Sequence, residues 1–239
     1  KKLSIKQIDL AFDFKGDIRN GWFLWLTRPK ISFGYNTTGG NYFFTNPTGM
    51  NQNLHQLYRA FNLVSAVGCQ QNEDQDAKWV FNNNGAVVIH VGATDHRRSW
   101  PLGHWIKLIN LLVDQFKIVI VDVKEAQQLI REVSDSRVEL FKGDLIQFKS
   151  WLTNQKCLIA PDSMASHLAA YLKIPTITLF GSQDPQLTSP LAEKSLVITP
   201  EKRCSHERDH WRLCSKCMNS INPDKVYQGI CNLMNEVNI

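Results

Sequence analysis

The sequence predicts an α/β protein in which helices wrap a parallel sheet. From Ala86 onwards, short apolar runs of strand length alternate with segments whose apolar residues recur at a helical period. This alternation is typical of doubly wound sheets, where a covering helix follows each strand. The chain has 239 residues, 43% of them apolar, which suffices for one large domain or two modest ones.

Six strands and four helices are predicted in this region. The strands are Ala86–Val91, Lys117–Val121, Val138–Phe141, Cys157–Ala160, Thr176–Phe180 and Leu196–Ile198. The helices between them are His104–Gln115, Lys124–Val133, Leu145–Asn154 and Met164–Leu172. A last helix is expected at Pro223–Glu236, because Asn222 is a good N-cap and Pro223 suits a first helical turn.

The residues before Ala86 predict fewer elements. They are a strand at Ile8–Phe14, a helix at Asp17–Leu26, a strand at Lys30–Tyr35 and a helix at Asn51–Val67. This is too little for a complete doubly wound lobe. We therefore expect a partial lobe at residues 1–69, a polar linker at 70–84, a complete lobe at 85–222 and a terminal helix at 223–239.

Charge divides unevenly along the chain. Residues 1–70 contain eight Lys and Arg against three acids, whereas the remainder contains nineteen of each. A basic lobe can attract an anionic partner such as a phosphorylated lipid headgroup or nucleic acid, although a merely solvated face explains the charges equally well. No recognised nucleic-acid motif accompanies them, so nucleic acid is not the expected partner. No apolar run is long enough to span a bilayer and no signal-peptide core is visible, so we expect a cytoplasmic protein.

The strongest local motif follows the strand that ends at Ala160. Asp162 and Ser163 occupy the crossing loop, and Ser163 is suited to cap the small-residue helix that follows. The start of that helix offers backbone N–H groups and a positive dipole end to a diphosphate. Asp162 would then accept hydrogen bonds from sugar or ribose hydroxyls, and His167 would face the same crevice. Alternatively, the motif is an ordinary helix cap with a core histidine.

A second motif follows the first strand of the same lobe. Residues 90–101 read His-Val-Gly-Ala-Thr-Asp-His-Arg-Arg-Ser-Trp-Pro, and His104-Trp105 follows. Arginine pairs well with phosphate oxygens and Thr94 can donate to one, so this loop is also suited to a diphosphate. Because the carboxyl ends of parallel strands meet at one edge of a sheet, we expect Arg98 and Asp162 to act from opposite sides of one crevice.

Taken together, these motifs resemble glycosyltransferase family 9, the ADP-heptose:lipopolysaccharide heptosyltransferases. The resemblance rests on the two loops, on Ile174-Pro175-Thr176, on the Leu-Phe-Gly-Ser-Gln-Asp-Pro run at 179–185, and upstream on Ile8–Arg19 and Pro29–Tyr35. It covers nearly the whole chain. It implies a GT-B fold of two Rossmann-like lobes, here with a complete C-terminal donor lobe and a partial N-terminal lobe.

The resemblance also implies roles for individual residues. The donor's phosphates would be held by Thr94 and Arg98, and its sugar and phosphates by Asp162, Ser163 and His167. Met164 departs from the family, which usually has Gly at this position, and its side chain could crowd the diphosphate or change the sugar accepted.

A second departure lies at the front of the chain. The family's first strand and Gly-Asp loop carry the proposed catalytic base, and nothing before Ile8 can form that unit. The catalytic residue is therefore unassigned. Asp13 and Asp17 are the carboxylates to test first if the base lies within this chain.

Four of the six cysteines form a cluster in the sequence, Cys204-x9-Cys214-x2-Cys217-x13-Cys231, with two histidines between the first two. Cys204, Cys214, Cys217 and His206 could together form a tetrahedral zinc site. Reduced thiols or an adventitious disulfide explain the cluster as well. Because the family resemblance implies no metal, we expect none. Cys157, within an apolar run, is expected to be a buried free thiol.

The expected function is that of an inverting glycosyltransferase that moves a sugar, heptose first of all, from a nucleoside diphosphate donor such as ADP-heptose to a lipopolysaccharide core or another anionic glycan. No cofactor is expected, since the chain has no Gly-x-Gly-x-x-Gly fingerprint. A peripheral contact with the inner face of the bacterial inner membrane is left open. The alternative is a catalytically inactive module that binds a nucleotide-sugar or assists assembly.

Overall fold

The structure, a computed structural model, describes residues 7–70, 82–133, 135–202, 204 and 214–237. The chain divides into two compact units. The smaller contains the described residues up to 70 together with 186–188, and the larger contains the described residues from 82 onwards apart from those three. The linker expected at 70–84 falls largely outside the described residues, so its bounds stay a prediction.

The smaller unit is built on a three-stranded parallel sheet in the order β1-β2-β3. Its elements are β1 (Leu10–Asp13), α1 (Ile18–Leu26), β2 (Ile31–Tyr35), β3 (Asn46–Thr48) and α2 (Gln56–Ser65). Asp17 caps α1 by accepting the Arg19 backbone N–H at 2.9 Å. Gly34 in β2 allows close packing, because a Cβ there would lie 2.4 Å from the Phe44 ring.

The smaller unit also exposes large apolar side chains on α1 and β1. Trp22, Phe23 and Trp25 on α1 are each more than half exposed. On or next to β1, Leu10 and Phe14 are each more than 40% exposed. The smaller unit therefore presents several large apolar side chains to solvent.

The larger unit is built on a six-stranded, wholly parallel sheet in the order β6-β5-β4-β7-β8-β9. Its strands are β4 (Val87–Ile89), β5 (Ile118–Val121), β6 (Val138–Phe141), β7 (Cys157–Pro161), β8 (Thr176–Leu179) and β9 (Ser195–Ile198). The four central strands are almost fully buried, because helices cover both faces. The six predicted strands are confirmed, with ends that differ by one or two residues.

Helices flank this sheet as expected. They are α3 (Leu102–Leu112), α4 (Gln127–Glu132), α5 (Leu145–Leu152), α6 (Met164–Tyr171), α8 (Ser215–Asn219) and α9 (Pro223–Val237). The short helix α7 (Pro185–Thr188) follows β8, and its last three residues are assigned to the smaller unit. The terminal helix α9 packs against α3, β8 and β9, and it buries Val226 and Ile230 completely. Cys157 lies fully buried in β7 as a free thiol, as predicted. In the part of the chain that the structure describes, no helix is both long and apolar enough to cross a bilayer.

The strand order places a topological switch point between β4 and β7. From β4 the chain proceeds outward to β5 and β6, and from β7 it proceeds in the other direction to β8 and β9. Ile89 near the end of β4 pairs with Ile159 of β7, so the loops after both strands leave the sheet side by side. Ligands of open parallel sheets bind in the crevice at such a point.

Candidate functional site

The loop after β4 carries two neighbouring arginines that have different partners. Asp95 caps a short 3-10 turn at His96–Arg98 and accepts hydrogen bonds from the Arg97 backbone, at 2.9 Å, and from the Arg97 guanidinium, at 2.6 Å. These contacts hold the pKa of the Asp95 carboxyl well below its usual range. Arg97 is therefore engaged within its own loop, which leaves Arg98 to face the neighbouring strand.

The loop after β7 places Asp162 at the edge of the sheet beside the start of α6. The backbone N–H of Asp162 donates to the carbonyl of Leu179 at 3.1 Å, and this bond fixes the loop to the end of β8. The Asp162 side chain is only 10% exposed. A carboxylate that has lost most of its water needs a partner with hydrogen-bond donors.

Arg98 is the principal partner of Asp162. Arg98 Nη1 lies 3.3 Å from Asp162 Oδ2 and 3.5 Å from the Asp162 carbonyl oxygen. The expectation that Arg98 and Asp162 act from opposite sides of a crevice is therefore wrong. The loops after β4 and β7 are adjacent at the switch point, and the arginine side chain is long enough to span the short distance between them.

Two further side chains complete the surroundings of Asp162. With its amide turned to satisfy both neighbours, Gln183 donates to Asp162 Oδ2 and accepts from Arg98 Nη2 at 3.1 Å. His167 Nε2 lies 3.7 Å from Asp162 Oδ1, so this histidine does face the same carboxylate as expected. Asp162 is thus not a free acceptor, which corrects that part of the sequence interpretation.

Gln183 is a site residue that the sequence analysis did not single out. It lies in the loop after β8, within the Gly-Ser-Gln-Asp-Pro run. Its position after a strand next to β7 in the sheet is the signal that could have identified it, because this loop must leave the same edge as the Asp162 loop.

The remaining predicted donor residues surround this cluster. Ser163 is the N-cap of α6, and its hydroxyl approaches the Ser166 backbone as in a capping box but completes no hydrogen bond. Ser166 Oγ reaches back to the Ser163 carbonyl at 2.8 Å. Thr94 is exposed, and Met164 is 55% exposed at the first turn of α6. The first N–H groups of a helix have no partner within the helix, so the start of α6 offers donors beside Arg98.

A small cleft lies over the ion pair. It is lined by Arg97, Arg98, Asp162, Leu179, Gly181, Ser182, Gln183 and Met218. Thr94, Ser163, Met164 and His167 are not among its lining residues. Gly181 permits the close approach of α8, since a Cβ on Gly181 would lie 2.8 Å from Met218 Cγ.

The Trp-Pro and His-Trp motif holds the first loop in place through packing. Trp100 is 3% exposed, and its Nε1 donates to the Ile221 carbonyl at 3.1 Å. Its ring meets the Trp105 ring edge to face at a centroid distance of 4.9 Å, and the His104 ring at 5.3 Å. The motif therefore anchors the arginine loop to the segment between α8 and α9.

The structure brings three of the cysteines together. The sulfur atoms of Cys204, Cys214 and Cys217 all lie within 4.8 Å of one another. Burial raises the pKa of the Cys217 thiol to about 11. His206, the fourth candidate ligand, lies outside the described residues. Cys231 is on α9 and is not a member of this group.

Comparison with known proteins identifies the family. The sequence profile of glycosyltransferase family 9 (heptosyltransferase) matches residues 1–217. The chain belongs to this family. The resemblance seen in its motifs is thereby confirmed, and with it the glycosyltransferase class.

Individual relatives match a smaller part of the chain. Lipooligosaccharide heptosyltransferase 2 of Haemophilus influenzae is 30% identical over 111 residues, which are 42% of this chain and 32% of the relative. Lipopolysaccharide heptosyltransferase 1 of Escherichia coli K12 is 30% identical over 118 residues, which are 47% of this chain and 36% of that protein. The matched segment thus spans about a third of each curated relative.

Solved structures support the fold. The E. coli heptosyltransferase WaaC with ADP superposes with a TM-score of 0.70 at 20% identity, covering 95% of this chain and 73% of that one. E. coli ADP-heptose lps heptosyltransferase II superposes with a TM-score of 0.72 at 15% identity, and the superposition covers 97% of this chain and 78% of that one. At these identities the likeness concerns the fold, and it confirms the GT-B class predicted from the sequence.

Proposed function

We propose that the larger unit binds the nucleoside diphosphate of a sugar donor, ADP-heptose, and that the protein transfers the heptose to a hydroxyl of a lipopolysaccharide core. The observation that carries the proposal is the contact of Arg98 with Asp162 and Gln183 at the switch point, beside the start of α6. Family membership and the names of the heptosyltransferase relatives supply the sugar and the acceptor.

Arg98 and the helix start together suit a diphosphate. Arginine has five N–H donors, and Arg98 directs Nη1 to Asp162 and Nη2 to Gln183, so its donors are not exhausted. Its side chain is 33% exposed and can therefore reach a ligand. We assign to Arg98, Thr94 and the first N–H groups of α6 the stabilisation of charge on the leaving diphosphate.

Asp162 is assigned to the sugar or ribose hydroxyls. Its carboxylate has two oxygens with about four acceptor positions, and Arg98, Gln183 and His167 leave room for a hydroxyl donor. The partners also hold the carboxylate in one orientation before the ligand arrives. Such preorganisation lowers the cost of binding.

Transfer with inversion requires a base for the acceptor hydroxyl, and Asp13 and Asp17, the two carboxylates to test first, are poorly suited to this role. Asp13 is 5% exposed and accepts the backbone N–H groups of Lys15 and Gly16 at 3.0 and 3.2 Å. Asp17 is paired with Arg19 at 2.7 Å, which holds its pKa well below the usual range. A carboxylate with a lowered pKa is a weak proton acceptor.

This arrangement also favours a second candidate function, nucleotide-sugar binding by this chain without transfer. Both candidate functions require that the donor binds at the cleft over Arg98 and Asp162. They differ only in whether the chain transfers the sugar. Calorimetry with ADP-heptose tests the binding that they share. A transfer assay with ADP-heptose and a heptose-deficient lipopolysaccharide then separates them.

The transfer assay is applied to the wild-type chain and to the variants Asp13→Asn and Asp17→Asn. Turnover by the wild type supports the transferase, and unchanged turnover in both variants supports a base other than these two carboxylates. Binding without turnover supports the second candidate. Failure of ADP-heptose to bind would overturn both.

A further inference from the structure

The thiols of Cys204, Cys214 and Cys217 have the spacing of ligands around one metal ion. The sulfur atoms of Cys204 and Cys214 are 3.8 Å apart, and those of all three residues lie within 4.8 Å of one another. A disulfide needs about 2.05 Å, so this pair is not one. Around a tetrahedral ion with metal–sulfur bonds of about 2.3 Å, neighbouring sulfurs lie about 3.8 Å apart.

The local backbone holds these thiols together without a metal. The Cys204 backbone N–H donates to Cys217 Sγ at 3.4 Å, and the Cys214 backbone N–H donates to Ser182 Oγ at 3.0 Å. Cys214 is the N-cap of α8 and Cys217 lies within that helix, so the short x2 spacing directs both thiols to one side. Cys217 is 1% exposed, whereas the other two are half-buried.

The same elements form one wall of the cleft over Arg98. Met218, next to Cys217, lines that cleft and packs against Gly181. Helix α8 also packs against the 3-10 turn at His96–Arg98. Cys204 lies between β9 and α8, so an ion bound by the three thiols would tie α8 to that segment and thereby keep Met218 in the wall of the cleft.

We propose that Cys204, Cys214 and Cys217 bind one thiophilic transition-metal ion, zinc or ferrous iron, and that the bound ion ties α8 to the Cys204 segment and so holds Met218 in the wall of the cleft over Arg98. Each thiol releases one proton as its thiolate binds the metal, so one ion displaces three protons. The three thiolates leave a tetrahedral ion one further position. Soft sulfur ligands in this geometry select zinc or iron over magnesium or calcium. The proposal replaces the sequence expectation that no metal is bound.

The first test is elemental analysis for zinc and iron, applied to the full chain purified under reducing conditions without a chelator. We expect about one equivalent of one metal in the wild type and in Cys69→Ser, whose exposed thiol lies outside the cluster. Cys214→Ser and Cys204→Ser should lose most of it. A wild type with less than about a tenth of an equivalent overturns the proposal, as does full metal content in both cluster variants.

Cobalt(II) added after chelation gives a second readout. We expect the thiolate-to-cobalt charge-transfer absorption and the visible bands of a tetrahedral ion in the wild type and in Cys69→Ser, and their loss in Cys204→Ser. Because Cys204 is half-buried, this variant should keep its far-ultraviolet circular dichroism. Octahedral cobalt bands in the wild type would contradict the assignment.

The effect on the cleft is measured separately and rests on the proposed donor binding. Removal of the metal should weaken ADP affinity by about fivefold, the lower end of typical coupling between two sites. Unchanged affinity would overturn the link between the metal and the cleft wall that carries Met218. The metal measurements do not involve nucleotide, so they stand or fall without the proposed function.

Discussion

At the scale of single residues, the two arginines after β4 show what sequence can and cannot predict. The motif identified Arg98, two residues before Trp100-Pro101, as the basic residue of the site. It could not show that Asp95 engages Arg97 while Arg98 reaches Asp162, 64 residues further on. That distinction depends on the spatial order of the strands, which the order of the motifs along the chain does not contain.

Asp162→Asn separates the acceptor role of Asp162 from its charge. The amide removes a negative charge beside the expected diphosphate, so ADP binding should be kept or improved. The nucleotide-sugar should lose about 1.5–3 kcal/mol of binding relative to ADP, because the carboxylate no longer accepts the hydroxyl. Calorimetry with ADP and ADP-heptose measures both.

Asp135→Asn is the matched control for this change. Asp135 also pairs with an arginine, at 2.7 Å from Arg137, but it lies outside the cleft. It should leave both affinities unchanged. If Asp162→Asn weakened ADP as much as ADP-heptose, the assignment of Asp162 to the transferred sugar would fail, and the carboxylate would instead contact the ribose that both ligands share.

At the scale of elements, the periodic segments were predictable and the short ones were not. Most strands and helices of the larger unit agree with the sequence because they bury a clear apolar pattern. The three-residue strand β3, with Pro47 at its centre, and the four- and five-residue helices α7 and α8 have no periodic signal. Since α8 carries Cys217 and Met218, one wall of the cleft could not be foreseen from the sequence.

Met164→Gly tests whether the side chain at the start of α6 restricts the site. Because Met164 is 55% exposed and stands beside the expected phosphate position, its removal should keep or improve ADP binding. Stability should fall by about 1 kcal/mol, the helix cost of glycine. Denaturant unfolding and calorimetry report the two quantities.

Tyr171→Gly, at the other end of α6 and 76% exposed, is the control for Met164→Gly. It should show a comparable helix cost with no change in ADP affinity. A large loss of ADP affinity in folded Met164→Gly would mean that Met164 contributes to binding and does not crowd it.

Trp100→Phe tests the anchor of the arginine loop. The change removes the donor to the Ile221 carbonyl and should destabilise the protein by about 1–3 kcal/mol, the cost of leaving a buried polar group unpaired. Urea unfolding measures it. Trp22→Phe, at a position 53% exposed in the smaller unit, should change stability by less than about 0.5 kcal/mol. Equal effects of the two changes would contradict the anchoring role.

At the scale of the whole molecule, the two parts of the chain differ in charge, as the sequence indicates, and the smaller unit exposes large apolar side chains. All of the net positive charge comes from residues 1–70, and large apolar side chains are exposed on β1 and α1. Because the apolar face of α9 complements α3 and β9, the helix belongs to the larger unit.

The central claim is that Arg98 contributes to a diphosphate site in this chain, and titration with ADP by calorimetry tests it most directly. We predict saturable binding at one site by the wild type and by Arg97→Ala, whose guanidinium is engaged by Asp95. Arg98→Ala should lose about 1.5–3 kcal/mol of ADP-binding free energy, which is roughly a 10- to 150-fold loss of ADP affinity. Wild-type affinity in Arg98→Ala, an equal loss in Arg97→Ala, or no ADP binding by the wild type would contradict the claim.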